Sequence, residues 1–272
     1  MAEKEVVLRA NPLKSVREAA VEAMDEFPLD QPDKHAKKLM EAWAARLKFD
    51  TDQFGKKASS IAARIAQEAK MGQSGVAKAA TGPVTGVPPY PWWDIVIAGP
   101  FQTPPAPGGP FLPNKIFVPN EPAFCIGAVW LNPFPINWAP AGPSSAVVMN
   151  AFNLTINFSI INLVAVTAGP NPASVIMAPL GGWPFSPFPW LHLFFLPLGP
   201  GIFPMPLEGQ PVLYEMNVTA DVAGPVPGLP FAGFCTWVFD PDFEPATWPP
   251  AIPPVVPGWQ YDIPMRFMTY RQ

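Results

Sequence analysis

Three acidic residues at alternate positions are the candidate metal ligands of this sequence. Asp240, Asp242 and Glu244 occur in the motif DPDFE, directly after a predicted strand. Carboxylate oxygens bind Ca²⁺, but the glycine at position six and the glutamate at position twelve of an EF-hand loop are missing here. We therefore predict a polar turn at the end of the strand, with a weak metal site as the alternative, and no cofactor.

Two histidines are the only bases that a nucleophilic triad could use. His35 stands beside Lys34 and Lys37 on a predicted helix, so we expect it on a solvated face. His192 lies in the apolar motif WLHLFF, and no Gly-x-Ser-x-Gly turn occurs in the sequence, so we expect a packed or surface histidine without a catalytic role. Phosphate-binding glycine motifs are also missing. The sequence therefore predicts a protein that is not an enzyme.

Cys125 and Cys235, the only cysteines, lie in two predicted strands, and each directly follows a phenylalanine. A disulfide between sheets would require an oxidising compartment. The first ten residues are charged and have no apolar core, so we predict no secretory signal peptide. We favour two buried free thiols, with the disulfide as the alternative. Intracellular assembly, a virion-like particle and signal-independent export are all left open.

Runs of aromatic residues and prolines are the candidate binding segments. They read PPYPWW at residues 88–93, WPFSPFPW at 183–190 and WPPAIPPVVPGW at 248–259. Proline-rich segments lose little entropy on docking, and aromatic rings supply large contact areas. We predict an assembly interface that includes eight rings: Trp92, Trp93, Trp183, Phe185, Phe188, Trp190, Trp248 and Trp259. The alternative is that exposed Trp and Tyr rings bind a carbohydrate or a membrane surface.

Charge and proline are distributed unevenly along the chain. Residues 81–272 contain 38 of the 41 prolines but only 12 of the 38 charged side chains. Residues 1–80 have 14 basic and 12 acidic groups, whereas the remainder has 3 and 9, so no basic patch for nucleic acid is predicted. A surface with so little charge should be covered by copies of itself, by a partner or by lipid.

The first 72 residues predict about three helices. Apolar residues at spacings of three and four mark helices near residues 13–27, 33–49 and 52–71. They would form either an arm between subunits or a local cap on the main domain. No uninterrupted apolar run approaches 18 residues, so no transmembrane segment is predicted. Residues 73–91, rich in Gly, Ser, Ala and Pro, predict a linker.

Residues 92–272 predict a β-domain. Apolar and polar residues alternate over 152–160 and 212–222, and a phase slip at 160–161 predicts a bulge. Shorter strands are predicted at 95–97, 116–118, 124–131, 174–177, 191–196, 231–239 and 261–270. The predicted fold is mainly β with an N-terminal α-helical segment: an antiparallel β-sandwich resembling a jelly roll, with Pro-rich loops.

These features predict a structural protein that assembles with itself. Burial of apolar surface between charge-poor β-domains would drive a homopolymer such as a filament, tube, sheath or shell. The wet strand faces contain Asn, Thr and Ser in place of Lys and Glu, which lowers the repulsion between packed copies. The alternative is the carbohydrate- or membrane-surface-binding module that exposed rings would provide.

Overall fold

The computed structural model of the chain describes residues 14–73, 93–103, 109–134, 144, 146–147, 152–170, 175–177, 185–223, 232–242 and 264–271. Within these ranges the protein has two helices and twelve strands. The strands form two sheets that pack face to face, and the helix pair covers one of them. The prediction of a mainly β fold with an N-terminal helical segment is therefore confirmed, and the two sheets are consistent with a sandwich-like arrangement.

Helix α1 (Val16–Glu26) begins with a capping box. The hydroxyl of Ser15 accepts a hydrogen bond from the Glu18 amide at 3.0 Å, and the Glu18 carboxylate accepts one from the Ser15 amide at 2.9 Å. These bonds satisfy amides that have no partner inside the helix. Its buried face consists of small residues, Val16, Ala19, Ala20 and Ala23, so α1 can approach its neighbours closely.

Helix α2 (Pro32–Gln73) is one continuous helix of 42 residues, where the sequence predicted two. The predicted break near residues 50–52 contains no Gly or Pro, and two ion pairs between residues four apart span it. Arg46 pairs with Asp50 at 3.3 Å, and Lys48 pairs with Asp52 at 2.7 Å. Such pairs favour an unbroken helix. Gln73 ends α2, and the rest of the predicted linker lies outside the described residues.

The strands are, in chain order, β1 (Trp93–Gln102), β2 (Leu112–Pro113), β3 (Ile116–Phe117), β4 (Ala123–Leu131), β5 (Asn153–Asn162), β6 (Thr167–Ala168), β7 (Val175–Met177), β8 (Phe185–Phe188), β9 (Leu191–Pro197), β10 (Val212–Ala223), β11 (Ala232–Val238) and β12 (Met265–Thr269). Sheet A has the order β11-β1-β4-β9-β8, with β2 beside β1. In sheet B, β10 is central: β5 pairs along one side of it, and β12 and β11 share the other.

Strand β11 joins the two sheets. Its first residues pair with β10 in sheet B, and residues 235–238 pair with β1 in sheet A. The β1–β11 pair and the β3–β12 pair are parallel, whereas the other pairs described are antiparallel. The sandwich is therefore mixed, which corrects the purely antiparallel prediction.

Sheet A is buried on both faces. Ile95, Ile97 and their neighbours face sheet B. Val96 and Ala98 face the helices and share a core cluster with Leu39 and other residues of α2. Because both faces are covered, β1 and β4 are continuous apolar runs and show no alternation. The helices thus form a cap on the β-domain of their own chain.

Sheet B is buried on one face only. Leu154, Ile156 and Phe158 of β5 point into the core, and the residues between them do not. This confirms the predicted alternation. The predicted bulge at residues 160–161 is wrong, because β5 pairs with β10 without a shift from residue 153 to residue 162. The phase slip has another origin: Asn162 ends the strand, and its Oδ1 accepts hydrogen bonds from the amides of Val164 and Ala165.

Candidate interaction surface

Asp240 and Asp242 attach helix α1 to the end of β11. The carboxylate of Asp242 accepts hydrogen bonds from the Val16 and Arg17 amides, each at 2.8 Å. These are the first two residues of α1, where a negative charge also interacts favourably with the helix dipole. Asp240 forms an ion pair with the Arg17 guanidinium and accepts the Asp242 amide at 3.1 Å. Both carboxylates therefore serve the junction between helix and sheet.

The metal alternative finds no support in this geometry. Among the residues that the structure describes, no group of three His, Cys, Asp or Glu side chains is placed to hold a metal ion. Glu244, the third predicted ligand, lies outside those residues. The role of Asp240 and Asp242 could not be predicted, because Arg17 is more than 200 positions away in the sequence.

His35 is fully buried, so its predicted solvated position was wrong. Its ring packs against Phe111, with the ring centroids 4.8 Å apart, and its Nε2 lies 3.2 Å from the Pro28 carbonyl oxygen. The prediction relied on the neighbouring lysines. Helix α2 turns His35 toward sheet A, while Lys34 and Lys37 stay exposed. His35 is a packing residue.

His192 is buried in sheet A, so of the packed and surface positions that the sequence left open it has the packed one. Its Nδ1 lies 2.8 Å from the Ser186 hydroxyl, a contact that ties the edge strand β8 to β9. Burial lowers the pKa of His192 to about 4, although a hydrogen bond with the Pro189 backbone acts in the opposite direction. The imidazole is therefore neutral at pH 7.

Cys125 and Cys235 are free, buried thiols. Strand β1 lies between the strands that hold them, so their backbones lie at least two strand spacings, about 10 Å, apart. That separation exceeds the reach of a disulfide. Burial raises the pKa of both thiols, and at Cys235 the charge of Asp94 adds to the effect. Burial and a raised pKa both lower the reactivity of these thiols at neutral pH.

The described rings among the predicted interface residues mainly pack within their own domain. Trp93 packs against the core between the sheets, Phe185 and Phe188 pack against the core beneath the helices, and Trp190 contacts both. The Phe188 and Trp190 rings are stacked, with centroids 5.0 Å apart. All four are half-buried. Trp92, Trp183, Trp248 and Trp259 lie outside the described residues.

An apolar row crosses the outer face of sheet B at one end. It consists of Ile116, Met268, Leu213 and Leu163, one from each of four adjacent chain segments. Ile116 pairs with Met268, Met268 pairs with Leu213, and the Leu163 amide donates to the Leu213 carbonyl at 2.9 Å. The alternate residues Phe117, Phe267 and Tyr214 are buried in the core, so Ile116, Met268 and Leu213 face outward. Met268, Leu213 and Leu163 are half-buried.

Exposed apolar side chains flank this row. Ile116 itself is 51 % exposed, Tyr270 at the end of β12 is 39 % exposed, and the turn after β5 presents Val164 and Val166 at 63 % and 83 %. Val166 also has a φ of 53°, a backbone conformation that β-branched residues rarely adopt. Four exposed apolar residues around one end of a sheet are typical of a contact surface.

Charged and polar groups, together with Ile161 beside Glu215, follow the apolar row on this outer face. Directly beside the apolar row, Arg266 of β12 donates to Glu215 of β10 at 2.9 Å. Beyond this ion pair the β5–β10 ladder pairs Asn217 with Ser159, Thr219 with Asn157 and Asp221 with Thr155. The Asn157 amide also donates to Asp221 at 2.8 Å. The face therefore changes from apolar, through one ion pair, to a ladder of mostly uncharged polar side chains.

Sequence reasoning identified the polar ladder but missed the apolar row. The alternation in β5 and β10 showed which residues face outward, including Leu213. The other three members come from short or irregular segments. In these segments no alternation of apolar and polar residues shows which side chains face outward. Their outward positions follow only from the pairing of β3 with β12 and of β12 with β10.

Comparison with known proteins assigns no function to these surfaces. No known protein family matches the chain, and no significant match to a curated protein is found. In the part of the chain that the structure describes, no helix is long and apolar enough to span a membrane.

Proposed function

We propose that this protein is a structural subunit that assembles with copies of itself into a filament, tube, sheath or shell. The observation that carries the proposal is the outer face of sheet B. It presents an apolar row flanked by exposed valines and a tyrosine, and the ion pair beside that row combines opposite charges. Such a face attracts another apolar face, and its balanced charges cause little repulsion between copies.

The energetics favour many weak contacts over one strong contact. The exposed apolar side chains around the row present several hundred Å², which at about 25 cal/mol per Å² is on the order of 10 kcal/mol before costs. Association itself costs about 4 to 15 kcal/mol. One such contact is therefore weak, and an assembly that combines it with further contacts gains stability from their number.

The jelly-roll order and the Pro-rich loops predicted from the sequence belong to the same proposal. Jelly rolls recur as building blocks of shells. Extended Pro-rich segments are also suited to bridging neighbours, because their backbones have little freedom to lose. The helix cap on sheet A leaves sheet B as the layer of the β-domain that copies can approach.

A second candidate is a module that binds a carbohydrate or a membrane surface. The polar ladder favours the carbohydrate form, because Asn157, Thr155 and Thr219 supply the amide and hydroxyl groups that sugar hydroxyls bind. Retention of the protein on immobilised glycans, lost in the Asn157→Ala variant, would support this candidate. Equal retention of that variant would count against the ladder as its site.

Negative-stain electron microscopy of the purified full-length protein tests the main proposal. We expect regular particles much larger than one subunit, because each copy presents the same uncovered face. Light scattering of the same sample gives the average mass. A stable monomer at micromolar concentration would contradict the proposal.

A further inference from the structure

We propose that the outer face of sheet B binds the same face of a second copy of this chain, about a two-fold axis parallel to strands β10 and β12. The inference rests on the self-assembly proposed above and specifies one of its contacts. The axis lies in the plane of the interface, between the two strands. The contact is isologous, so each copy contributes the same residues.

The register of β10 with β12 makes this face complementary to itself. Leu213 of β10 lies opposite Met268 of β12, and two residues along, Glu215 lies opposite Arg266. Strand β10 therefore carries the acidic member of the ion pair and β12 the basic one. The apolar pair and the charged pair are successive rows on the same outer surface, because side chains alternate between the two sides of a strand.

Rotation about the proposed axis places β10 of one copy over β12 of the other. Because the axis is parallel to the strands, each row keeps its position along the strand direction. The apolar row of one copy then lies on the apolar row of the other, with Leu213 facing the partner's Met268. In the next row Arg266 faces the partner's Glu215, and Glu215 faces the partner's Arg266. Opposite charges meet on both sides of the axis, so four charges form one alternating cluster.

Arg266 has donors left for a second partner. Its side chain is 60 % exposed and uses Nε for the bond to Glu215, whose side chain is 15 % exposed. A guanidinium has five N–H donors, and a carboxylate has about four acceptor positions. A second copy therefore offers the exposed N–H groups of Arg266 a further acceptor.

The exposed apolar surface fits a weak contact with a second copy. Ile116, Tyr270, Val164 and Val166 are 39 to 83 % exposed. They present on the order of 400 Å², about half of the roughly 800 Å² that each partner buries in a standard interface. An isologous contact closes on itself, so it forms a pair of copies. A filament or shell then requires a further contact elsewhere on the molecule.

Mixing two charge-reversed variants tests the symmetry of the contact. In Arg266→Glu every charged position of the cluster is acidic, and in Glu215→Arg every one is basic, so each variant repels its own copies. A mixed pair contains one of each, and opposite charges then face each other at all positions. We expect each variant alone to raise the dissociation constant of the pair at least about tenfold, and the equimolar mixture to recover most of the loss.

The control is the double variant Arg266→Glu with Glu215→Arg. It restores the ion pair inside each copy and the alternation between copies, so we expect it to associate like the native protein. Repulsion inside a single-variant copy is the same in the mixed and unmixed samples. Recovery on mixing therefore reports on the contact between copies. Sedimentation velocity with one variant fluorescently labelled measures both quantities.

A second pair of variants tests the apolar row. Leu213→Asp places a charge in the centre of the proposed contact, and we expect loss of the paired species. Val21→Asp is the matched control, because Val21 is also an exposed apolar residue but lies on α1, on the other side of sheet A. Circular dichroism and the thermal midpoint confirm that both variants are folded.

Three outcomes separate this inference from the proposed function. Recovery on mixing, together with loss of pairing in Leu213→Asp alone, supports the inference. If the native protein forms large particles but mixing recovers nothing and Leu213→Asp pairs normally, this contact is wrong and self-assembly stands. If the native protein is monomeric at every concentration, both proposals are overturned.

Discussion

At the scale of single residues, Asp242 connects two distant parts of the chain. Its carboxylate binds the first two amides of α1, and its own amide binds Asp240, which pairs with Arg17. Carboxylates at a helix N-terminus stabilise the helix both as hydrogen-bond acceptors and through the dipole. Acidic residues that resemble metal ligands in the sequence are used here to hold a helix.

We predict that Asp242→Ala lowers the free energy of unfolding by about 1 to 2 kcal/mol, the usual effect of removing a helix cap. Asp52→Ala is the matched control, because it removes an exposed carboxylate paired with Lys48 and should cost about 0.5 kcal/mol or less. Urea unfolding followed by tryptophan fluorescence measures both. Stabilisation of the native protein by Ca²⁺, absent in Asp242→Ala, would contradict this account and favour a metal site.

His192 makes the stability depend on pH. Burial lowers its pKa to about 4 in the folded protein, from about 6.5 in the unfolded chain. The unfolded chain therefore binds more protons between these values, and the contribution of His192 is complete above pH 6.5 and is lost as the pH falls toward 4.

We predict that His192→Gln reduces the loss of stability between pH 6.5 and pH 4, because Gln does not titrate. The unfolding free energy of both proteins across this range isolates the His192 contribution from that of the carboxylates, which titrate in both. Ser186→Ala is the control, since it removes the contact with Nδ1 but keeps the titrating group. Identical pH profiles for the native protein and His192→Gln would contradict the burial of a neutral imidazole.

At the scale of elements, burial decides which strands the sequence reveals. Strands β5 and β10 were predicted with the correct faces because sheet B is covered on one side only. Strands β1 and β4 show no alternation because helices cover their second side. The parallel pairing of β1 with β11 joins residues far apart in the chain, and local patterns contain no information about it.

The helices show a similar division between local and distant information. The amphipathic spacing predicted α1 and both halves of α2, but the continuity of α2 depends on local ion pairs and on its contact with sheet A. Thr51, at the predicted break, accepts a hydrogen bond from the Trp130 indole of β4 at 3.1 Å. A side chain from another element thus anchors the helix where a local pattern indicated a connection.

At the scale of the whole molecule, the described residues form three layers, with one covered sheet and one sheet face that no other described element covers. The helices cover sheet A, and sheet B presents an apolar row, an ion pair and a polar ladder. The unequal distribution of charge now has a structural counterpart. Most charges lie in the helical layer, and the face available for contact has few.

The central claim is that copies of this chain associate with one another. Sedimentation velocity of the purified full-length protein, measured from nanomolar to micromolar concentration, tests it most directly. We predict that the sedimentation coefficient rises with concentration toward large assemblies, because association through an uncovered apolar face follows mass action. A single species of 29.5 kDa at every concentration would contradict the claim.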